Sequence, residues 1–135
     1  SENAQIEILK QDSFLDVTLE FDHELMRRVF VNLIRNGIEA AINAGTKPEI
    51  SISFSRNEEK QSFTTHITDN GPGLTPEQRE KLFTPYFTTK SDGTGLGLPI
   101  VRKICQDHGG NVYLQQRDDE IRGCRADVQL RYKEG

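Results

Sequence analysis

The chain has 135 residues, the size of a single domain with one core, and its 17 Lys and Arg against 21 Asp and Glu leave a net charge of -4. That balance excludes phosphate-backbone binding as the main activity, so no nucleic-acid partner is expected. No apolar run approaches the roughly 20 residues that cross a bilayer, and the first ten residues lack a basic start followed by an apolar core. The expectation is a cytoplasmic domain without membrane contact of its own. Cys105 and Cys124 belong to no CxxC or Cys/His cluster, and they read as buried free thiols of a reducing compartment.

Residues 5–10 (QIEILK) and 16–21 (DVTLEF) alternate like short strands around a polar turn at 11–13, and they read as a hairpin. From Asp22 the period changes. Leu25, Met26, Val29, Phe30, Leu33, Ile34, Gly37, Ile38, Ala41 and Ile42 recur as the core-facing side of a helix, with Asp22 as its N-cap and Gly45 as its stop. Residues 49–55 and 62–68 form a second predicted hairpin about the polar turn 56–61. Asp69 to Gly73 (DNGPG) is a tight loop, and Thr75 caps a short helix begun by Pro76 that ends at Leu82 and Phe83. Residues 84–94 keep no period, and a stretch of that length inside a compact domain reads as a functional lid or a mobile loop. Gly95 and Gly97 lead into a second amphipathic helix ended by Gly109 and Gly110, and residues 112–116 and 126–132 are closing strands. The order predicts one α+β domain over 1–135, a two-layer sandwich with an antiparallel or mixed sheet and helices on one face.

The glycines of 93–97 match neither the P-loop, because Lys90 precedes them, nor GxGxxG, because their spacing is GxGxG. Glycines opening a helix still form an anion site, since bare backbone presents N–H groups at the positive end of the helix dipole. On the first long helix, Asn32, Asn36, Glu39 and Asn43 are spaced 4, 3 and 4. At 100° per residue they share a stripe about 60° wide beside the apolar one. Asn is a poor helix former, so three on one stripe point to function rather than to a solvated face. Their amide oxygens suit Mg²⁺, which prefers a few protein oxygens, phosphate and water. Asp69 enters DNGPG as a fixed carboxylate able to accept the amino group of adenine, although an Asx turn accounts for it equally well.

Residues 32–40 (NLIRNGIEA), 69–73 (DNGPG), 82–90 (LFTPYFTTK) and 93–98 (GTGLGL) resemble, in order and spacing, the N box, first glycine box, F box and second glycine box of the GHKL ATP-binding superfamily. The variant TPYFTTK, GTGLGLPIVRKI and DHGG is most similar to the catalytic and ATP-binding domain of bacterial two-component sensor histidine kinases, particularly the nitrogen-regulation type. The resemblance implies the Bergerat fold, a mixed sheet backed by three helices with an ATP lid. It implies Asn36 as principal Mg²⁺ ligand with Asn32 in its shell, Asp69 on the adenine amino group, and Glu39 and Asn43 bordering the nucleotide. Gly71 and Gly73 would line the adenine side, Gly93, Thr94, Gly95, Leu96 and Gly97 would wrap the phosphates, and Lys90 would reach the terminal phosphates. Two departures stand out: Gly37 where the family usually has Ala, and Gly123, Cys124 and Arg125 where it has a Gly-Thr pair followed by an aromatic.

The implied function is to bind MgATP and donate its γ-phosphate to a histidine on a separate dimerization domain, for onward transfer to a response regulator. No catalytic nucleophile is then expected within the chain. His23, in HELMRR, lacks the Arg and Pro of the acceptor pattern, and the acceptor histidine and dimerization helices are expected upstream of Ser1 on a parent protein that can be membrane-anchored. His66 and His108 read as ordinary strand and helix-end residues. The alternatives are a GHKL ATPase, in which a Glu general base commonly takes the position of Asn32, and an anti-sigma-type serine kinase or nucleotide-gated binding module.

Overall fold

A computed structural model describes residues 5–8, 17–87, 97–117, 119 and 121–134. Helix α1 (His23–Asn43) begins where the sequence places its cap, the Leu25 N–H donating to Asp22 Oδ1 at 2.9 Å. Met26, Val29, Leu33, Gly37 and Ala41 are its buried stripe, and Gly45 follows its end at φ +78°, where a side chain would be strained. Helix α2 (Pro76–Lys81) opens with a reciprocal cap, Gln78 N–H to Thr75 Oγ1 at 3.1 Å and Thr75 N–H to Gln78 Oε1 at 3.0 Å. Helix α3 (Gly97–Asp107) buries Leu98, Val101, Ile104 and Cys105.

The main sheet contains β1 (Gln5–Ile8), β3 (Glu49–Asn57), β4 (Ser62–Thr68), β5 (Asn111–Gln116) and β6 (Cys124–Arg131), in the order β1-β3-β4-β6-β5. β2 (Val17–Thr18) pairs antiparallel with β7 (Lys133–Glu134) in a small separate ladder. Among the described residues the expected hairpin of 5–10 with 16–21 is not present. β1 instead runs parallel to β3, Gln5 opposite Glu49 and Ile8 opposite Ile52. The reason is topological: α1 carries the chain back along its own length between the two strands, which makes β1 and β3 parallel neighbours rather than partners across a turn. The second predicted hairpin is present, with β3 extending to Asn57 and pairing antiparallel with β4.

All three described helices lie with this mixed sheet in a two-layer α+β sandwich, α1 and α3 packed on each other and on the strands. Between the layers lie Met26, Val29 and Leu33 of α1, Val101, Ile104 and Cys105 of α3, and Ile50, Ile67, Val112, Ala126 and Val128 of the sheet. The pleat sends alternate residues of β3, β4 and β6 to the opposite, open face, among them Ser53, His66 and Asp127 in one cross-strand row.

His108 ties the ends of the two long helices together. Its Nε2 accepts the Asp22 N–H at 3.0 Å while Nδ1 lies 2.7 Å from Ile104 O. A backbone N–H on Nε2 requires the ring proton on Nδ1, so the imidazole here is neutral and donates to the carbonyl.

Candidate functional site

A cavity of about 430 Å³ opens between α1, the loop after β4 and the start of α3. Leu33, Ile67, Leu74, Leu82, Leu98, Leu114 and Ala126 give it apolar walls, and Asn36, Asn43, Asp69 and Gln78 supply polar groups. An apolar slot with a few placed polar groups suits a flat, nitrogen-rich ring.

Asp69 is the most constrained of those groups. Its Oδ1 accepts the N–H of Gly71 at 2.9 Å, closing an Asx turn, and the N–H of Cys124 at 3.1 Å. Oδ2 makes no hydrogen bond among the described residues and remains available to a donor in the cavity. The main chain is held as firmly: Asp69 N–H donates to Cys124 O at 2.9 Å, and Arg117 Nη1 donates to Asp69 O at 2.9 Å. Burial pushes the carboxyl above the ordinary carboxylate range, opposed by the two backbone N–H bonds and by the positive charge of Arg117. Cys124, also on the cavity wall, has its thiol pushed up to about 12 by burial first and then by the Asp69 charge, so it stays neutral and offers only a weak donor. Both cysteines are free and buried, as the sequence suggests.

The stripe on α1 meets this cavity at two points. Asn36 and Asn43 line it, and Asn36 Nδ2 donates to Asn32 Oδ1 at 3.1 Å. Asn32 in turn supports the start of α3: a Cβ on Gly97 would lie 3.0 Å from Asn32 Nδ2, closer than ordinary packing permits. Glu39 is half-buried on the same helix and does not line the cavity. Gly73, at φ +80°, lines the cavity, whereas Gly71 is buried against α1, where a Cβ would meet that of Ala40 at 2.8 Å. Lys90, Gly93, Thr94, Gly95 and Leu96 lie outside the described residues, as does most of the expected lid. Of its first four residues, Tyr86 stands 76% exposed and Phe87 N–H donates to Thr84 O at 3.2 Å.

Two supports escaped the sequence reading. Arg117 and Gly123 reach Asp69 only because β6 pairs with β4, and the register Thr68 opposite Arg125 brings residues far apart in the chain together. Gly37 also does more than weaken helix propensity. A Cβ there would lie 3.0 Å from both Asp69 Cβ and Ile50 Cδ1, so its absence lets the helix approach the carboxylate-bearing loop.

The donors fit the groups the sequence implies. Among the described residues no three His, Cys, Asp or Glu side chains gather, so a divalent cation would take amide, phosphate and water oxygens. No helix among the described residues is long and apolar enough to cross a membrane.

Comparison with known proteins agrees with this architecture. The family described as histidine kinase-, DNA gyrase B-, and HSP90-like ATPase matches residues 21–134. Sensor histidine kinase ZraS of Salmonella typhimurium is 42% identical over 94 residues, which are 70% of this chain and 19% of ZraS. Nitrogen regulation protein NtrY of Azorhizobium caulinodans is 37% identical over 115 residues, 84% of this chain and 14% of NtrY. The chain thus spans less than a fifth of each of these curated relatives. Among solved structures, the catalytic domain of histidine kinase ThkA superposes with a TM-score of 0.73 at 32% identity, covering 96% of this chain and 78% of that one. ThkA in complex with response regulator protein TrrA superposes at 0.71 with 27% identity, over 93% of this chain and 33% of that one. With four boxes in order, the two-layer sandwich and a family match spanning nearly its whole length, the chain belongs to the histidine kinase-, DNA gyrase B-, and HSP90-like ATPases and groups there with the catalytic domains of sensor histidine kinases.

Proposed function

We propose that this single domain binds MgATP in the cavity beside Asp69 and presents the γ-phosphate to a histidine carried on a separate dimerization domain. The observation that carries the reading is the Asp69 carboxylate on the wall of an apolar cavity, locked through Oδ1 and the main chain. Oδ2 would accept the adenine amino group, and Asn43 and Gly73 would border the base and sugar. Asn36 would bind the cation with Asn32 orienting it, and the N-terminus of α3 at Gly97, with Gly93 to Leu96 and Lys90 before it, would take the phosphates. Mg²⁺, when bound, would neutralise phosphate charge. In this phosphoryl transfer the protein's contribution is then positioning, the attacking nitrogen being supplied by the histidine of the separate domain. Asn32 favours transfer over hydrolysis, because an amide bonded to Asn36 has no basic site to take a proton from water.

The proposed partners are the histidine-bearing dimerization domain of the same kinase and a response regulator. The ThkA–TrrA complex supports the second. A cytoplasmic site of action accords with two buried, unpaired cysteines.

Calorimetry with ATP or ADP, with and without Mg²⁺, tests the reading directly. Asn36→Ala is expected to lower affinity at least tenfold in Mg²⁺, a loss of about 1.4 kcal/mol, and far less in its absence. Equal affinities for wild type and Asn36→Ala at saturating Mg²⁺ would remove Asn36 from the site. Arg117→Ala is expected to weaken ATP several-fold by releasing the Asp69 carbonyl, with Arg117→Lys recovering part of the loss because one donor suffices for one carbonyl. Unchanged ATP affinity in Arg117→Ala would show that the turn holds Asp69 without it.

A further inference from the structure

On the open face of the sheet, across from the helices and the cavity, three side chains form a connected line. Ser55 Oγ lies 2.8 Å from His66 Nε2, and His66 Nδ1 lies 2.7 Å from Asp127 Oδ1. Asp127 also receives Arg125 Nε on Oδ1 at 2.9 Å and Arg125 Nη2 on Oδ2 at 3.1 Å. Strand register builds the row: His66 stands opposite Asp127 across β4 and β6, and Ser55 lies diagonally from His66 across β3 and β4.

The Asp127 hydrogen bonds also fix the tautomer of a neutral His66 ring. Asp127, bonded twice by a guanidinium, is an acceptor, so His66 Nδ1 carries the proton and donates it. Neutral His66 then has its lone pair on Nε2, directed at the Ser55 hydroxyl. Exposure falls along the line: Ser55 is open to solvent, whereas the side chains of His66 and Asp127 are 18% and 10% exposed. An accessible hydroxyl, a base within reach and a buried carboxylate orienting that base together make an activated nucleophile.

The geometry points to Ser55 as a nucleophile for acyl transfer from activated carboxylic esters, with His66 as general base and Asp127 as the residue positioning it. In the step, Ser55 Oγ bonds to the carbonyl carbon while its proton passes to His66 Nε2. The carbon–oxygen bond to the leaving alcohol or phenol then breaks, the leaving group takes the proton from His66, and the product is an ester on Ser55. Thr64, paired with Ser55 across the ladder, puts a second hydroxyl on the same face as a donor for the developing oxyanion. This site is independent of the nucleotide cavity, and its reaction requires neither ATP nor a cation.

The test uses the whole protein with p-nitrophenyl acetate, following p-nitrophenol release and locating the acetyl group by peptide mass spectrometry. Acetylation is expected on Ser55, to be absent in Ser55→Ala, and to slow about 100-fold in His66→Ala, within the usual range for a general base. Added imidazole should restore part of the His66→Ala rate, which a purely structural role for His66 would not permit. Asp127→Asn should slow the reaction as well, with partial recovery in Asp127→Glu. Acetylation of Ser55 no faster than that of Ser53, two residues away on the same strand, would overturn the assignment, as would a Ser55 rate unchanged in His66→Ala.

Discussion

Asp69→Asn is expected to lower ATP affinity about 100-fold while raising the melting temperature of the nucleotide-free domain at neutral pH. The two effects share one cause. The carboxylate sits where burial disfavours its charge, and its pKa is raised above the ordinary range. A carboxyl raised by folding contributes stability that is fully present below its unfolded pKa and lost as pH rises through its folded pKa. At neutral pH the ionised group therefore weakens the apo fold. An Asn at position 69 keeps an oxygen for the Gly71 and Cys124 N–H groups and removes the buried charge. Its amide nitrogen would then face the adenine amino group, donor against donor, a mismatch of about 3 kcal/mol. GTP, which presents a carbonyl at that place, should be affected less. Melting curves from pH 3 to pH 8, with isothermal titrations of both nucleotides, check the prediction. The stability gain should vanish at the acid end. A gain that is equal at every pH would mean that the charge is not what strains the apo fold, and ATP binding unaffected by the substitution would remove Asp69 from base recognition.

The polar half of the site was legible because it lies on regular elements. A 3.6-residue period in α1 sorts Asn36 and Asn43 from Leu33, Gly37 and Ala41 without any knowledge of the sheet, and the structure puts both Asn residues on the cavity wall. Glu39, assigned to the same stripe, does not line the cavity, because the wall at that level is Ala40. What could not be read is whatever depends on strand partnership. The alternation of residues 5–10 is satisfied by any free edge, so proximity in sequence argued for a hairpin while the α1 crossover dictated parallel pairing with β3. The supports of Asp69 were hidden for the same reason. Arg117 and Gly123 flank the β5–β6 connection, and nothing in their local sequence says which loop they will meet. The Ser55–His66–Asp127 row is the third case, since each member reads singly as the polar alternate of a strand and only the β3-β4-β6 order aligns them.

Gly123→Ala is expected to be among the most destabilising single-methyl additions in this domain, costing about 3 kcal/mol or more. Gly123 has φ +148°, and a Cβ there would lie 2.0 Å from the Asp69 carbonyl oxygen and 2.8 Å from Arg117 Cδ. Neither neighbour can yield alone, because the carbonyl accepts the Arg117 guanidinium while the next residue, Cys124, exchanges hydrogen bonds with Asp69 through N–H to Oδ1 and O to N–H. Relief of the clash therefore moves the Asp69 carboxylate, proposed above to accept the base, and nucleotide affinity should fall together with stability. Gly45→Ala supplies the control. Gly45 also has a positive φ, +78°, but nothing lies within 4 Å of its would-be Cβ. Its cost is then the backbone strain alone, about 1 kcal/mol, with ATP binding by the folded fraction unchanged. Urea denaturation of the two variants separates contact from conformation. If Gly123→Ala unfolds at the same denaturant concentration as Gly45→Ala, the close approach of the β5–β6 connection to Asp69 is not what holds the carboxylate in place.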